Sequence, residues 1–434
     1  MVQDGYHGLD WQRINYPILS LEEANKVLRR SELSQNPGVQ GPVPITRVDS
    51  LRLEASHPCQ DNFTYETADV GTGTLWHFWG VFDGHAGWQT STVLSQALVS
   101  YVTRSLKQAD KADPASIDKA IKDAFLKLDD EIVQGAMESV TNAGSRPRAE
   151  IIADIAPAIS GSMAVLGIFD PTTSTLRVAS VGDSQAVLGL HDEGPGGGGD
   201  DASQTWTAVP LSTPQTPDRP DELEKLHAQH PGEPDSDLLT ADGKRLLGLP
   251  VTRAFGDHRW KWPEEAIADA RKKFYGFPAR PNAKTPPYLT AEPEISTTVV
   301  KKGDFAILAT DGLWDTLTPE DAVETLQLWL QDGRLKSPGG ARQGGSAQQP
   351  ESAESVPVFS GDEEPECRVG YPWDWKGRTE DFVVEDDNAA THLARNALGG
   401  KRREQFCTIL GVLAPHKDDA HDDITVQVLF FGDS

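Results

Sequence analysis

The amino-acid sequence predicts an α+β fold of packed layers, because many strand-like runs and a few long helical segments follow one another in mixed order. A regular alternation of strands and helices would instead indicate a doubly wound parallel sheet. The apolar, β-rich runs that predict strands span residues 48–54, 75–82, 161–169, 176–181, 186–190, 295–300, 304–310 and 424–431. The segments that predict helices span residues 19–30, 87–107, 114–134, 218–229, 319–331 and 387–398.

Local signals support the individual elements. Ser20 precedes the main part of the first predicted helix and Glu23 follows three residues later, which is the pattern of a capping box. The Pro- and Gly-rich stretch 36–44 ends that helix. In the helix predicted over 114–134, apolar residues recur at helical spacing and indicate a face that packs on the core; they are Ile117, Ile121, Ala124, Phe125, Leu128 and Ile132.

The chain is predicted to form one domain that follows a short arm. Residues 1–44 form the N-terminal arm, and residues 45–434 form the domain, with insertions near 191–205 and 333–380. The first insertion is Gly-rich, which favours a flexible loop, and much of the second has a low-complexity composition that favours disorder. Motifs of a single predicted site lie on both sides of the insertions, so we expect the insertions to interrupt the domain without dividing it.

Composition limits the function classes. The 40 basic and 66 acidic residues give a formal net charge of −26, which argues against nucleic acid or an anionic membrane as the main partner. No apolar run approaches the length of a membrane span. Only three cysteines occur, with no paired spacing, so a reducing intracellular compartment is expected. The N-terminus resembles neither a signal peptide nor a transit peptide.

Three separated motifs each place Asp on a tight turn next to a strand-like run. They lie at residues 81–87, 308–315 and 421–426 and contain Asp83, Asp311 and Asp422, respectively. Carboxylates at the ends of strands can converge on Mg²⁺ or Mn²⁺, which prefer oxygen ligands. A lone Asp-Gly pair usually marks only a turn. Three such motifs together favour a metal site.

The chemistry expected of such a site is displacement at phosphorus. One carboxylate can bridge two metal ions, which lower the pKa of a bound water and neutralise the phosphoryl oxygens. Asp83 and Gly84 form a strand-to-turn junction, and the backbone carbonyl of Gly84 can approach a cation because glycine has no side chain. His85 is placed to give a proton to the leaving oxygen.

The motifs resemble those of the metal-dependent type-2C (PPM) protein Ser/Thr phosphatases. The matching stretches lie, in the family's order, at residues 81–87, 161–164, 181–184, 252–257, 309–315 and 422–426. The resemblance covers residues from about 45 to the end, apart from the insertions. It implies two packed antiparallel sheets flanked by helices, and hydrolysis of phosphoserine or phosphothreonine by a metal-activated water with no phosphoenzyme.

The resemblance also implies roles for individual residues. Asp83 would bridge two Mg²⁺ or Mn²⁺ ions, the Gly84 carbonyl would complete one site, and Asp311 and Asp422 would ligate the other ion. His85 would be the general acid. Three further acids match family positions close to the metal ions, with a weaker third ion implied at the last two: Asp61, Asp183 and Asp315.

Two positions depart from the family pattern. Gln60 stands where the family usually has Glu, so one negative charge near the metal-bound waters is missing. Ser56 stands at the position of the family's usual phosphate-binding Arg, and Arg52 is a candidate substitute whose direction the strand pattern leaves open. The sequence does not decide whether Arg253 lines the site or pairs with a carboxylate. For the Trp-rich stretches 260–262 and 371–375, the sequence favours buried anchors over a partner surface.

Within the family, residues 244–262 and 286–294 resemble the pyruvate dehydrogenase phosphatase branch. That likeness implies a phosphoprotein substrate such as pyruvate dehydrogenase E1, a lipoyl-domain partner and the mitochondrial matrix; otherwise a cytoplasmic location is expected. Two alternatives stay open at this point. One is an inactive pseudophosphatase that acts as a binding module, and the other is an acidic scaffold that binds cations without chemistry.

Overall fold

The computed structural model describes residues 19–55, 57–192, 205–336, 376–412 and 420–432. The helices in these ranges are α1 (Leu21–Leu28), α2 (Gln89–Leu106), α3 (Pro114–Thr141), α4 (Arg148–Ile159), α5 (Pro220–Gln229), α6 (Asp235–Leu238), α7 (His258–Lys261), α8 (Glu264–Lys273), α9 (Asp311–Trp314), α10 (Pro319–Gln331), α11 (Ala389–Ala397) and α12 (Arg403–Gly411). The strands are β1 (Leu33–Gln35), β2 (Ile45–Leu53), β3 (Asn62–Asp69), β4 (Leu75–Phe82), β5 (Gly84–His85), β6 (Gly161–Ser162), β7 (Ala164–Asp170), β8 (Thr175–Val181), β9 (Gln185–Asp192), β10 (Thr205–Pro210), β11 (Phe255–Gly256), β12 (Glu294–Val299), β13 (Phe305–Ala309) and β14 (Ile424–Phe431). Short 3-10 helices span Arg334–Lys336 and Thr379–Asp381.

The strands form two large sheets and a small one. The first large sheet has the strand order β1-β2-β14-β13-β9-β10, and the second has the order β12-β8-β7-β4-β3. The small sheet has the order β11-β6-β5. All pairings within these sheets are antiparallel. Together with the helices, these sheets confirm the predicted α+β class.

The two large sheets face each other across an apolar layer. Trp79 and Val81 of β4 lie in the same buried cluster as Leu308 of β13 and Leu429 of β14. Because successive side chains of a strand point to opposite faces, the intervening residues of these strands point away from this layer.

Those outward-facing residues are covered by helices, so four layers stack in the order helix, sheet, sheet, helix. Phe78 and Phe82 of β4 pack with buried side chains of α2, α3 and α4. On the opposite side, Ile307 of β13 and Val428 of β14 pack with buried side chains of α10, α11 and α12. Burial on both faces explains why the central strands are almost continuously apolar.

Residues 19–44 pack against the rest of the domain. The first helix begins with the predicted capping box, in which Ser20 and Glu23 each accept a hydrogen bond from the other's backbone N–H. Leu28 is fully buried, and Arg29 pairs with Asp386 at 2.6 Å. Strand β1 then pairs with β2 in the first sheet.

The predicted boundaries of β4, α10 and β14 agree with the structure. The first helix and strands β2, β7, β8, β9, β12 and β13 agree within a few residues, whereas α3 continues seven residues past the predicted end at 134, to Thr141. Five longer elements were not predicted: β3, β10, α4, α8 and α12. Much of the predicted insertion 333–380, the Gly-rich loop and the Trp-rich stretch 371–375 lie outside the described residues.

This layered fold brings several strand ends to one edge of the molecule. Asp83 follows β4, Asp183 follows β8, and Asp311 follows β13. Asp422 comes two residues before β14, which is paired with β13. In the described ranges, none of the helices has the length and apolar character needed to cross a membrane.

Candidate active site

Three aspartates from separate strand ends meet in one cluster. One carboxylate oxygen from each of Asp83, Asp183 and Asp311 lies within 4.8 Å of the other two. Asp83 is only 6% exposed. These residues are 100 and 128 positions apart along the chain, so the fold itself assembles the cluster.

Glycines make the turns that carry these aspartates possible. A Cβ atom on Gly84 would lie 2.1 Å from the backbone oxygen of Gln60, so any side chain there would force the two segments apart. Gly182, which precedes Asp183, has a φ of +95°, and its Cβ would lie 2.0 Å from the Met163 side chain. The close backbone approaches fix where the neighbouring carboxylates emerge.

The cluster is strongly acidic and poorly neutralised by the protein itself. Burial, followed by repulsion from Asp311, raises the pKa of Asp83 well above its ordinary value. Burial and then Asp183 do the same to the pKa of Asp311. Burial raises the pKa of Asp183 to about 6. At neutral pH the cluster therefore favours binding of positive charge.

The unpaired oxygens fit a divalent cation. Oδ2 of Asp83 and Oδ1 of Asp183 are buried and have no hydrogen-bond partner among the described residues. A buried carboxylate oxygen without a partner is costly, and hard cations such as Mg²⁺ and Mn²⁺ bind carboxylate oxygens. The donor set at this position therefore suits the predicted metal ions.

The other predicted acids surround the cluster without joining the group of three. Asp61 is buried and accepts a hydrogen bond from the Thr310 hydroxyl at 2.8 Å. Asp422 is exposed, and its charge helps to raise the pKa of Asp83, after burial and the larger effects of Asp311 and Asp61. Asp315 has an exposed side chain at the C-terminal end of α9, and its backbone oxygen accepts a hydrogen bond from Lys376.

The predicted general acid is held by a carboxylate from a distant part of the chain. Nε2 of His85 lies 2.7 Å from Oδ2 of Asp257, whereas Nδ1 of His85 is buried without a partner in the described ranges. Burial alone would lower the pKa of His85, but the Asp257 carboxylate outweighs burial and raises that pKa above its ordinary value. One ring nitrogen is thereby fixed and the other is left available.

Asp257 itself is fixed by its backbone. It adopts a left-handed conformation with a φ of 58°, which Asp tolerates better than most residues, and its N–H donates to Ser160 at 3.0 Å. The preceding Gly256 donates its N–H to the buried Asp129 carboxylate at 2.9 Å. Lys261 pairs with that same carboxylate at 2.7 Å. This buried network positions the residue that holds His85.

Two residues of this site carried no predicted role. Asp257 belongs to the 252–257 motif, but its contact with His85 spans 172 residues and no local pattern indicates it. Asp423 accepts hydrogen bonds from the N–H groups of Ala55 and Gln60, at 2.5 and 2.7 Å, and so ties down the loop before β3. Asp423 directly follows Asp422 in the 421–426 motif, which could have drawn attention to it, but the predicted role is assigned to Asp422 alone.

The two departures from the family pattern lead to different structural outcomes. Gln60 accepts a hydrogen bond from the Gly87 N–H at 2.6 Å, so its side chain supports the turn after His85. Arg52 donates to Asp61 O at 3.3 Å and to Asn62 Oδ1 at 3.1 Å, so its guanidinium is engaged at the start of β3. Ser56 lies outside the described residues.

A second acidic group has similar spacing but already has basic partners. It consists of Asp221, Glu222 and Glu294. Arg219 contacts Asp221 at 2.7 Å and Glu294 at 2.6 Å. Arg253 pairs with Glu222 at 2.5 Å, which settles that Arg253 pairs with a carboxylate. This group is an ion-pair network, and nothing in it calls for a metal ion.

The raised pKa of Asp183 predicts that the metal-free protein loses stability as the pH rises. Its folded-state pKa is about 6 against an ordinary 3.8, so the folded state binds the proton more tightly. The stability of the folded state should therefore fall as pH rises from about 4 to about 6. In chelator, Asp183→Asn should gain stability relative to the unsubstituted protein across that window. Urea unfolding of both proteins measures the difference, and a difference independent of pH would contradict the prediction.

The comparisons with known proteins agree with these motifs. Residues 48–347 match the family model described as protein phosphatase 2C. A protein phosphatase 2C homologue of Schizosaccharomyces pombe is 36% identical over 402 residues, which cover 89% of this chain and 80% of the relative. The mitochondrial pyruvate dehydrogenase (acetyl-transferring) phosphatase 1 of Saccharomyces cerevisiae is 32% identical, covering 96% of this chain and 74% of the relative.

The similarity extends to animal proteins and to a solved structure. The Homo sapiens mitochondrial pyruvate dehydrogenase (acetyl-transferring) phosphatase 1 is 29% identical, covering 95% of this chain and 83% of the relative. A crystal structure of serine-threonine phosphatase 2C from Toxoplasma gondii aligns with a TM-score of 0.48 and 17% identity, covering 92% of this chain and 99% of the other. The family match spans more than half of the sequence, and the resemblance predicted from the motifs is confirmed. The chain belongs to the protein phosphatase 2C family and is a serine/threonine phosphatase, a hydrolase.

Proposed function

We propose that this phosphatase uses Mg²⁺ or Mn²⁺ held by Asp83, Asp183 and Asp311 to hydrolyse phosphoserine and phosphothreonine in proteins. The observation that carries the proposal is the convergence of three carboxylate oxygens within 4.8 Å of one another. At an effective dielectric constant of about 20, two unit charges at that distance repel by roughly 3–4 kcal/mol. Divalent cations turn this repulsion into attraction, and dependence on them is general to the family.

The remaining ligands follow from the resemblance. Asp83 would contact both ions, the Gly84 carbonyl would complete one site, and Asp422 would join Asp311 at the other. When bound, the ions supply positive charge for the phosphoryl oxygens and a water of lowered pKa as the nucleophile.

The remaining acids would act around this centre. Within the group of three, Asp183 would contribute to a weaker third ion together with Asp315 and the shared Asp311, and Asp61 would orient waters in the site. The buried Asp61, held by the Thr310 hydroxyl, has a fixed orientation.

The His85–Asp257 pair supports acid catalysis at the leaving oxygen. Asp257 accepts a hydrogen bond from the Nε2–H of His85, so Nδ1 is the nitrogen that would donate a proton to the departing Ser or Thr oxygen. After this transfer the imidazole is neutral and keeps its Nε2 hydrogen bond. The raised pKa of His85 favours the protonated form that this role requires.

For the substrate, we propose phosphorylated pyruvate dehydrogenase E1 and a mitochondrial location. The support is that the yeast and human relatives are named mitochondrial pyruvate dehydrogenase phosphatases and align with nearly the whole chain. A lipoyl-bearing domain would be the partner that brings the enzyme to that substrate. This part of the proposal rests on similarity and on the 244–262 and 286–294 stretches, which carry the likeness.

The alternatives predict a different site. A pseudophosphatase would be expected to lose one or more metal-binding aspartates, but Asp83, Asp183 and Asp311 are all retained and meet in one cluster. An acidic cation scaffold would place its acids together on the surface. Here the three residues come from separate strand ends, and Asp83 is buried.

An assay on two substrates tests the proposed function. Phosphorylated pyruvate dehydrogenase E1 and a generic phosphopeptide are each incubated with Mg²⁺, with Mn²⁺ or with chelator. We expect cation-dependent release of phosphate from both, with the higher kcat/KM on pyruvate dehydrogenase. Turnover that persists in chelator would contradict the metal mechanism. A higher kcat/KM on the generic peptide would contradict the assigned substrate while leaving the phosphatase mechanism intact.

A further inference from the structure

Two arginines stack on one buried tryptophan near the candidate active site. The guanidinium of Arg280 lies 4.2 Å from the ring centre of Trp260, and that of Arg259 lies 5.7 Å from it. Trp260 is only 4% exposed, and its indole N–H donates to Leu246 O at 3.0 Å. Gly248 leaves room for the Arg280 guanidinium, because a Cβ there would lie 3.3 Å from Arg280 Nη1. The ring and the turn thus hold Arg280 in place.

Among the residues that the structure describes, neither guanidinium forms an ion pair with a carboxylate; each instead stacks on the Trp260 ring. Arg259 donates from Nε to the backbone oxygen of Pro278 at 2.7 Å, and Nε of Arg280 is buried without a partner in the described ranges. Burial, and then the neighbouring Arg259, lower the pKa of Arg280. The chain has a net charge of −26, so two adjacent arginines that stack on one ring without a carboxylate partner form a local concentration of positive charge.

The arginine pair lies beside the general acid. Arg259 is in α7, which begins directly after Asp257, the residue that holds His85. Burial lowers the pKa of both arginines, and the Asp257 carboxylate opposes this effect on each of them, for Arg280 after the further lowering by Arg259. That carboxylate is already engaged with His85, so the excess positive charge is available to a ligand at the edge of the active site.

The surface around the pair has the composition of a protein-recognition surface. Tyr275 is 52% exposed and Phe277 is 39% exposed, and the guanidinium of Arg259 lies 5.7 Å from the Phe277 ring. A Cβ on Gly276, between them, would lie 3.7 Å from the His258 ring, so this segment packs directly beside α7. Arginine and aromatic side chains are enriched where proteins bind other proteins.

We propose that Arg259 and Arg280 bind an oxyanion of the substrate polypeptide, a carboxylate or a second phosphate, that flanks the phosphorylated residue. The planar guanidinium presents paired N–H donors that match such groups. The inference rests on the proposed function, because it assigns a substrate subsite to that active site. It gives the enzyme a preference for phosphorylated residues in acidic surroundings.

Peptides that differ only at the flanking positions test the inference. Each carries one phosphothreonine, flanked in the first by Gln, in the second by Glu, and in the third by a non-hydrolysable phosphonate analogue of phosphoserine. We expect the enzyme to prefer the Glu peptide over the Gln peptide by roughly tenfold in kcat/KM. A still greater preference for the third peptide would identify phosphate as the better ligand, and a smaller one would identify carboxylate.

Variants assign the preference to the arginine pair. In Arg280→Gln, the ratio of kcat/KM on the Glu peptide to kcat/KM on the Gln peptide should fall close to one. Arg280→Lys should retain part of the preference. Arg104→Gln is the matched control, because Arg104 is exposed and stacks on Tyr101 at 5.3 Å in α2. The control should keep the full ratio, although it loses the same charge. A ratio is insensitive to partial unfolding, which lowers both rates equally.

Three outcomes decide the inference. Equal kcat/KM on the Glu and Gln peptides would overturn the subsite and leave the proposed function standing. A preference that survives in Arg280→Gln would overturn its assignment to this pair. If no peptide is hydrolysed, the proposed function fails, and fluorescence anisotropy of the labelled peptides in chelator then decides the subsite alone. Tighter binding of the Glu peptide that Arg280→Gln removes would support the inference, and equal binding would refute it.

Discussion

Asp83→Asn or Asp311→Asn is expected to lower Mn²⁺-dependent hydrolysis of p-nitrophenyl phosphate by roughly 10³-fold or more. Each variant keeps the shape of the side chain and removes a negative charge from a cluster whose oxygens lie within 4.8 Å of one another. The cations would then lose a ligand at the point where charge has to be stabilised. Steady-state kinetics over a Mn²⁺ titration measures the loss.

Both variants are expected to remain folded, because the substitutions remove repulsion from the metal-free protein. Burial and neighbouring carboxylates raise the pKa of both residues, so each charge is unfavourable in the folded state without a cation. Circular dichroism in chelator should show a melting temperature no lower than that of the unsubstituted protein. Asp130→Asn, at an exposed position of α3, is the matched control and should keep full activity. Unchanged turnover in either cluster variant would refute the assignment.

Asp257→Asn is expected to slow hydrolysis of a phosphopeptide by about 10²–10³-fold in kcat, with a much smaller loss on p-nitrophenyl phosphate. The alkoxide of Ser or Thr needs a proton in order to leave, whereas p-nitrophenolate leaves without one. Asp257 accepts from Nε2 of His85 and so keeps Nδ1 for the substrate. Asn tolerates the left-handed backbone of this position, so the substitution tests the carboxylate rather than the fold.

Variants of His85 serve as the control for this prediction. His85→Ala should show the same dependence on the leaving group, and the double variant should lose little more than either single one, because both residues act as one unit. Asp257→Glu should restore part of the activity. Equal losses on both substrates, or additive losses in the double variant, would show that Asp257 has only a structural role.

The strongly apolar parts of the fold were predictable because burial on both faces leaves a clear pattern. Strands β4 and β14 and helix α10 begin and end where the sequence predicts. In contrast, β3 and β10 are sheet edges whose residues are mostly polar or half-exposed, so they lack an apolar run. Helix α4 contains Pro157, a residue that ordinarily argues against a helix.

Some residues of the candidate active site could be identified from short local motifs, whereas the roles of others depend on contacts between distant parts of the chain. Asp83, Asp183 and Asp311 each lie in a short motif next to a strand, so the sequence could identify them. The role of Asp257 depends on a contact across 172 residues, and that of Asp423 on contacts with a loop about 360 residues away. Contacts of this kind depend on how the sheets stack, which no local pattern encodes.

The most direct test of the metal site is anomalous X-ray scattering from crystals of this protein grown with Mn²⁺. We expect Mn²⁺ peaks in contact with the carboxylates of Asp83 and Asp311, and we expect them to disappear in crystals of Asp83→Asn. A map at saturating Mn²⁺ with no peak at these carboxylates, from crystals of enzyme that still hydrolyses phosphopeptides, would contradict the proposed metal site.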